Sequence, residues 1–492
     1  MPPPRLTVPR RAHLALLAVC VAFVLLPALL VPLSLPLGWD EIVYAGRFDS
    51  YTQGLDVPFE APRTRGVPAL MAPVAAWSDD VVLLRVWLSL LAGVALYVGY
   101  APWLRVFRAR PYVVPLAAAG YASLWFTVFY AGSAMPNHYA AMGAAAAVGW
   151  FLRLGEVNGA LPDAGRATTL RASAGLAFGL GLTTLMRPND AVWIAAPLIL
   201  AVLVHRPWRR VAAPLAIVAG LLAGGVPWVV EAELRFGGVR ERLDLATAQQ
   251  GGLRLQFNLP TVIRSVDGPL LCRPCAPSGP GLPTTLWWYV LPLLVVAGVW
   301  LVVRGRRVRG TPGGRDEVSV AAVVVPVVVG GAASVTYLFL LDYSAPRFLL
   351  ITYALLALPA AITVQSLWRA ARSRGRIAVA ALALALVGHL TAQLALAHVN
   401  AGNQVEARAD WRLIAAALRG AGVGRGCVLD GNSMLIPVAY TAGCLPAKHH
   451  PGRPPDAWVL RHAEPPRTPG ELRMIPVHGT YNKGWRIAVP QQ

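Results

Sequence analysis

Apolar residues run in long blocks along most of this chain, separated by short polar stretches. The first block, residues 14–37, follows Arg5, Arg10 and Arg11; it is longer than a signal-peptide core and has no small-x-small cleavage site. It predicts a retained transmembrane helix with a cytoplasmic N-terminus. Further blocks cover roughly residues 81–104, 112–131, 135–152, 172–186, 191–204, 211–230, 284–303, 318–341, 348–368 and 377–398, so the pattern predicts about eleven spans.

Arginine tests that count, because alternate connections of a membrane protein carry the positive charge. Arg105/Arg108/Arg110, Arg153/Arg166/Arg171, Arg206/Arg209/Arg210, Arg304/Arg306/Arg307/Arg309/Arg315 and Arg369/Arg372/Arg374/Arg376 fall on every second connection. These lie on the side of the N-terminus, which predicts a multi-pass cell-membrane protein with an extracytoplasmic C-terminus. The opposite connections differ in kind. The first, residues 38–80, is long and acidic; the second is Gly132-Ser133-Ala134-Met135-Pro136-Asn137-His138; the third is Arg187-Pro188-Asn189-Asp190. The fourth, residues 231–283, opens on a stretch around Arg235 to Leu243 that reads as a short helix on the membrane surface. The fifth is Asp342-Tyr343-Ser344-Ala345-Pro346-Arg347.

Beyond His398 the composition changes. Residues 411–418 read as an amphipathic helix, and residues 426–429 and 457–460 as short strands. The expected division is a membrane domain over 1–400 and a small extracytoplasmic α/β domain over 401–492. No internal repeat is evident.

Composition agrees with this division. The 492 residues are 56% hydrophobic and 14% charged, with a mean hydropathy of +0.53, which excludes a water-soluble multidomain protein. The formal net charge of +20 sits in short clusters between apolar blocks rather than in a basic domain, so no nucleic-acid partner is expected. Only Lys448 and Lys483 are lysines, so abundance alone lowers the weight of any single arginine. Cys20 reads as a packing residue; Cys272 with Cys275 reads as a small loop disulfide or as half of a metal site whose other half is not seen, and Cys427 with Cys444 as an oxidised pair.

Polar side chains concentrate at the extracytoplasmic helix ends, and the cytoplasmic connections hold no glycine-rich nucleotide loop. Chemistry on the outer side calls for a lipid-linked rather than a nucleotide-activated donor. The prominent feature there is Asp40-Glu41, two carboxylates at the lip of the first span, where charge is costly. Successive residues of a helix project about 100° apart, so the two carboxylates serve different partners. Asp40 reads either as an N-cap or as a base, and the two readings can coexist.

An Asp-Glu pair just after the first span, followed by Tyr44, resembles the signature of the GT-C glycosyltransferases. The likeness is to the protein mannosyltransferase and aminoarabinose transferase group, which uses polyprenyl-phosphate sugars. Tyr343-Ser344-Ala345-Pro346-Arg347-Phe348 is similar to an Arg-Tyr/Phe element opening a late helix in those enzymes, and Arg187-Pro188-Asn189-Asp190 to their Arg-Pro turn. The resemblance covers the chain to about His398. It implies an all-α polytopic fold with a small C-terminal α/β domain, and hexosyl or pentosyl transfer, with inversion, to an envelope glycan or protein.

On that likeness Asp40 matches the general base, and Glu41 orients the loop or a metal. Arg347, Arg187, Arg63 and Arg65 are the candidates for the donor phosphate, which suits a guanidinium fork. Each has a plainer alternative: snorkelling or a pair with Asp342 for Arg347, a pair with Asp190 for Arg187, and a solvated loop for Arg63 and Arg65. Tyr44, His138, Asp190 and Tyr343 are the candidate substrate contacts, with an interfacial hydrogen bond as the alternative for His138. No cofactor is implied beyond a divalent metal, for which no spaced ligand set is seen. Two other classes compete: a secondary transporter, and a non-catalytic subunit of an envelope-assembly complex.

Overall fold

The computed structural model describes residues 9–52, 55, 59–160, 166–273, 281–309, 318–450, 452–467 and 470–491. Each apolar block falls on helix. Among the described residues, seven helices are long and apolar enough to cross a membrane, or eight if one bent pair counts as a single span. By length and apolarity the described helices fall short of the eleven spans that the apolar blocks predict. The runs at 135–152, 172–186 and 191–204 form the helices Asn137–Ala160, Arg166–Met186 and Pro188–Val204, which stand outside those seven.

The block at 112–131, expected as one span, is broken. Val113–Ala122 and Trp125–Ala131 meet at 78°. The second arm turns inward because its polar groups find partners only there. The Trp125 backbone N–H donates to Gln393 at 3.0 Å and its indole N–H to the Val266 carbonyl at 2.8 Å. All seven residues of this arm are buried, and it carries Tyr130 to the site described below.

Helix packing in the bundle depends on missing side chains. A Cβ on Gly179 would lie 2.6 Å from both the Ala147 nitrogen and the Gly143 carbonyl oxygen, so the helices Asn137–Ala160 and Arg166–Met186 touch backbone to backbone. Small residues allow such close approach where lipid offers no hydrophobic drive to association. The span Val81–Val106 starts on Asp80, whose carboxylate accepts from the Val82 and Leu83 N–H groups at 2.7 and 3.3 Å.

The polar segments gather at one end of the bundle. Residues 254–258 run beside 338–340 through backbone hydrogen bonds, and Cys272 pairs with Ser344. Of the stretch from Arg235 to Leu243 expected as one short helix, Arg235 closes the helix Ala212–Arg235 and only Val239 onward belongs to a new one, Val239–Gln249. The pairing of Cys272 with Cys275 involves a residue outside those described. The last span is one helix, Arg376–Gly420, that runs without interruption past residue 400 into the tail.

There a sheet follows: β1 (Val428–Gly431), β2 (Leu445–Pro446), β3 (Ala457–Arg461), β4 (Leu472–Pro476) and β5 (Trp485–Pro490), in the order β2-β1-β3-β5-β4. β1 pairs in parallel with β2 and β3, while β3–β5 and β5–β4 are antiparallel. Cys427 and Cys444 form a disulfide at the start of β1 and β2. The two strands read from sequence correspond to β1 and β3; β2 is only two residues long, and the sequence reading missed β4 and β5. The helix Leu435–Ala442, between β1 and β2, packs on the short acidic helix Trp39–Ala45 and so ties the tail to the acidic loop.

Candidate active site

Residues 39–45 form about two turns of helix whose N-cap is Gly38. The cap function goes to Glu41 and not to Asp40. As third residue of the helix, Glu41 accepts from the Gly38 N–H at 2.8 Å, the half of a capping box that a glycine cap permits. Asp40 lies inside the helix with its carboxylate pointing elsewhere, which corrects the N-cap reading.

Asp40 faces two guanidinium groups brought from distant parts of the chain. Its Oδ1 accepts from Arg63 at 2.5 Å and its Oδ2 from Arg347 at 3.0 Å. Burial raises the pKa of this carboxyl, but the charges of Arg63, Arg347 and Arg187 and the Arg63 hydrogen bond together outweigh burial and hold it below the ordinary carboxylate range. Arg347 is fixed on its far side by the Tyr130 hydroxyl at 2.8 Å and the Leu270 carbonyl at 3.0 Å. It enters from the 3-10 turn Pro346–Leu349 that opens the helix Leu350–Arg374. Its ion pair is therefore with Asp40 and not with the nearby Asp342. Arg63 also pairs with Glu60 at 3.2 Å, and its guanidinium lies over the Tyr44 ring at 5.5 Å.

Glu41 is enclosed in a second cluster. Arg85 reaches it at 3.1 Å and Arg408 at 3.4 Å, and the Ala134 N–H donates to it at 3.0 Å. The side chains of Glu41, Arg85 and Arg408 are 4%, 4% and 6% exposed. The two arginines also donate to carbonyls of the preceding turn, Arg85 to Leu35 and Arg408 to Pro36, and Arg85 to Gly132 besides. Glu41 thus joins the first loop, the start of the span Val81–Val106, the 132–134 turn and the helix leading to the tail. The phase difference expected between residues 40 and 41 is realised as two separate clusters.

Arg187 binds Asp190 at 2.6 Å and the Tyr337 hydroxyl, which donates to Asp190 at 2.6 Å. Its charge still reaches Asp40. Arg65 pairs with Glu231, which also takes Arg242 at 3.0 Å. Arg242 is fully buried and donates to the carbonyls of Ala61, Arg63 and Trp228, so it sets the backbone that presents Arg63. Tyr343 lies under Arg273 at 4.7 Å and edge-on to Phe348 at 5.7 Å.

His138 does not join this group. It is 2% exposed inside the bundle, with one ring nitrogen on the Tyr121 hydroxyl at 3.1 Å and the other on the Ala92 carbonyl at 3.0 Å. Starting a helix from Asn137 turns the ring inward, which corrects the expectation of a helix-mouth histidine facing substrate. Among the described residues no three His, Cys, Asp or Glu side chains converge as a metal set.

Sequence reading missed Arg85, Arg408, Tyr130, Arg242 and Glu231. Arg85 alone carried a signal, an arginine four residues into an apolar block, where an unpaired charge is costly. A cavity of about 360 Å³ opens beside this region, lined by Gly46, Arg47, Thr52, Arg65 and Arg235 among others. Neither Asp40 nor Arg347 lines it.

No family model and no curated protein matches the sequence. Solved structures do match. ArnT from Cupriavidus metallidurans, bound to undecaprenyl phosphate, superposes with a TM-score of 0.60 at 12% identity, covering 96% of this chain and 97% of that one. The Archaeoglobus fulgidus oligosaccharyltransferase tethered to an acceptor peptide gives 0.54 at 12% identity over 89% of this chain and 64% of that one. The same archaeal enzyme, AglB, with an inhibitory peptide and a dolichol-phosphate gives 0.51 at 12% identity, covering 88% of this chain and 64% of its own. This chain thus spans about two thirds of the archaeal enzyme. The fold is the GT-C fold, a multi-pass membrane architecture carrying a small C-terminal sheet domain.

Proposed function

We propose that this GT-C-fold chain is a membrane glycosyltransferase that moves a sugar from a polyprenyl-phosphate donor to an extracytoplasmic acceptor with inversion. The observation that carries the reading is the carboxylate of Asp40 held between Arg63 and Arg347, whose positions lie 307 residues apart in the case of Arg347. A base and two phosphate-binding forks in mutual contact are what transfer from a lipid phosphate requires.

The step is a single displacement. The acceptor hydroxyl oxygen forms the new bond to the anomeric carbon as its proton passes to an Asp40 oxygen. The bond from that carbon to the phosphate oxygen breaks, and its electron pair leaves with the polyprenyl phosphate. Arg347, with Arg63 beside it, takes up the charge that grows on the leaving phosphate. Attack from the face opposite the leaving group inverts the anomeric centre.

A carboxylate tied to two arginines is a weak base, so donor binding has to loosen those ties. Arg63, Arg347 and Arg187 are balanced by Asp40, Glu60 and Asp190 in this structure. An arriving phosphate competes for the same guanidinium groups and draws them off Asp40, which raises its basicity as the donor is seated. Arg187 supplies field rather than a direct contact, since Asp190 and Tyr337 occupy it. Arg65 acts through Glu231. Tyr44 supports Arg63, and Tyr343 supports Phe348 and the Arg347 turn. The described part of the fourth loop covers the site through Leu270, whose carbonyl holds Arg347, and the tail domain selects the acceptor.

The test is purified protein in nanodiscs, labelled polyprenyl-phosphate sugar and an envelope extract. Wild type moves label into a glycan or protein with inverted anomeric configuration, and Asp40→Asn does not. Uptake into sealed vesicles without incorporation overturns the proposal in favour of transport.

A further inference from the structure

The surface helix Val239–Gln249 docks by a charge. Of its eleven residues Arg242 alone is buried, and it is 0% exposed. Leu243 and Leu245 of the same helix are 45% and 48% exposed. The helix is therefore held to the protein by a guanidinium and not by an apolar face, although removing such a group from water is costly.

The bonds that offset this cost converge on the segment carrying Arg63. Arg242 donates from Nε to the Ala61 carbonyl at 3.1 Å and from Nη2 to the Arg63 carbonyl at 2.8 Å. Two more bonds go to the Trp228 carbonyl at 2.8 Å and the Glu231 carboxylate at 3.0 Å. The guanidinium also lies over the Trp228 and Phe236 rings at 4.5 and 4.6 Å. On the other side of Arg63, the Thr64 hydroxyl donates to the Met186 carbonyl at 3.0 Å. A Cβ on Gly66 would lie 2.8 Å from the Leu185 carbonyl oxygen, so the chain runs tight against the end of the helix Arg166–Met186. The backbone is thus clamped on both sides of Arg63, between the fourth loop and the bundle. The Arg63 side chain is held differently: it is 18% exposed and ends on two carboxylates, Asp40 and Glu60.

From this contrast between a clamped backbone and a side chain held by exchangeable ion pairs, we infer that Arg242 is a positioning residue for the donor phosphate. The inference rests on the transferase reading, in which the arriving phosphate draws Arg63 off Asp40. In that exchange the guanidinium swings about its own Cα, and a Cα that shifted would bring the fork to the phosphate out of line. Arg242 fixes that point without touching substrate. Because it stands on the surface helix, the placement of that helix sets donor affinity. Lysine cannot replace it. An ammonium keeps the charge opposite Glu231, but it lacks the planar fork that spans the carbonyls of Ala61, Arg63 and Trp228.

The test is titration of polyprenyl phosphate, the lipid product without sugar, onto the full chain in nanodiscs of zwitterionic lipid. Arg63→Gln weakens binding by about tenfold, because it removes a charged donor. Arg242→Lys, at the melting midpoint of wild type, weakens binding by about fivefold. The double variant binds no worse than Arg63→Gln alone, since residues that act through one another do not add. In transfer assays Arg242→Lys raises donor KM and leaves acceptor KM at the wild-type value, a split that loss of folded protein does not produce. Gly238→Ala is the second variant and decides the matter if the buried lysine lowers the melting midpoint. Gly238 caps the helix at φ +128°, so alanine displaces the helix start while Arg242 itself is unchanged, and donor affinity falls again. Wild-type affinity in the deciding variant overturns the inference, as do losses that add in the double variant. A wild-type chain that does not bind polyprenyl phosphate overturns the transferase reading together with this inference, whereas binding with additive losses overturns this inference alone.

Discussion

Glu41→Gln and Asp40→Asn are near-identical substitutions one residue apart, and the geometry makes their effects opposite. Glu41 accepts from the Gly38 and Ala134 N–H groups and from Arg85 and Arg408, and only donors surround it. A glutamine there turns its NH2 group toward donors whichever way the amide is placed. It also leaves two arginines, 4% and 6% exposed, without a counter-charge. Breaking one partner of such a buried pair costs about 3–5 kcal/mol, a large share of a typical folding free energy of about 5–15 kcal/mol. Asp40 is 22% exposed, and its partners keep Glu60, Tyr130 and the Leu270 carbonyl after the change, so Asp40→Asn costs about 1–2 kcal/mol. Its loss falls on turnover, by about 10²- to 10⁴-fold for a general base. The assay pairs detergent-extracted abundance and thermal melting on a sizing column with transfer of labelled donor. Glu41→Gln lowers abundance and melting midpoint, and the double variant Glu41→Gln with Arg408→Gln is less damaged than the two single losses added together. A Glu41→Gln protein that melts like wild type, or an Asp40→Asn protein that turns over like wild type, refutes this assignment of roles.

Other outcomes follow from the same contacts. Arg347→Lys keeps the charge but loses the fork shared among Asp40, Tyr130 and Leu270, and donor KM rises by about tenfold or more in initial-rate measurements. Because the folded pKa of Asp40 is depressed, its ion pairs stabilise fully above its unfolded value, about 3.9, and fade as pH falls through the lower folded value. The gap in melting midpoint between wild type and Asp40→Asn is therefore constant from pH 7 to pH 5 and closes only in stronger acid. Cys427→Ser opens a disulfide spanning 17 residues and costs the tail about 3 kcal/mol, which limited proteolysis reads as faster cleavage beyond residue 420.

What the sequence could reveal was whatever depends on near neighbours. Block lengths and arginine alternation placed the helices, because hydropathy and loop charge are local sums. The separation of Asp40 from Glu41 followed from the helix angle alone. The break at Ser123-Leu124 stayed hidden because both arms are equally apolar, and the inward turn is directed by Gln393 and the Val266 carbonyl, neither of them near in sequence. His138 was misplaced for a related reason: a residue at the first turn of a helix faces in or out by rotation, which the flanking Asn137 and Tyr139 do not fix.

The carboxylates show where local reading stops. Of forty-four basic residues all but two are arginine, so nothing in the alphabet marks Arg347 and Arg63 as partners of Asp40, or Arg85 and Arg408 as partners of Glu41. What singles them out is burial. A guanidinium in a solvated cytoplasmic loop needs no partner, whereas one that folding removes from water must find a carboxylate or carbonyls, and Arg85, Arg242, Arg347 and Arg408 each do. The same rule separates the two acids by function. Glu41, saturated by donors from four segments, has no room for a reacting group, and its charge is spent on holding the loop. Asp40 keeps a fifth of its side chain open and shares partners that a phosphate can take from it, so of the two it is the carboxylate that can be set free when a substrate arrives.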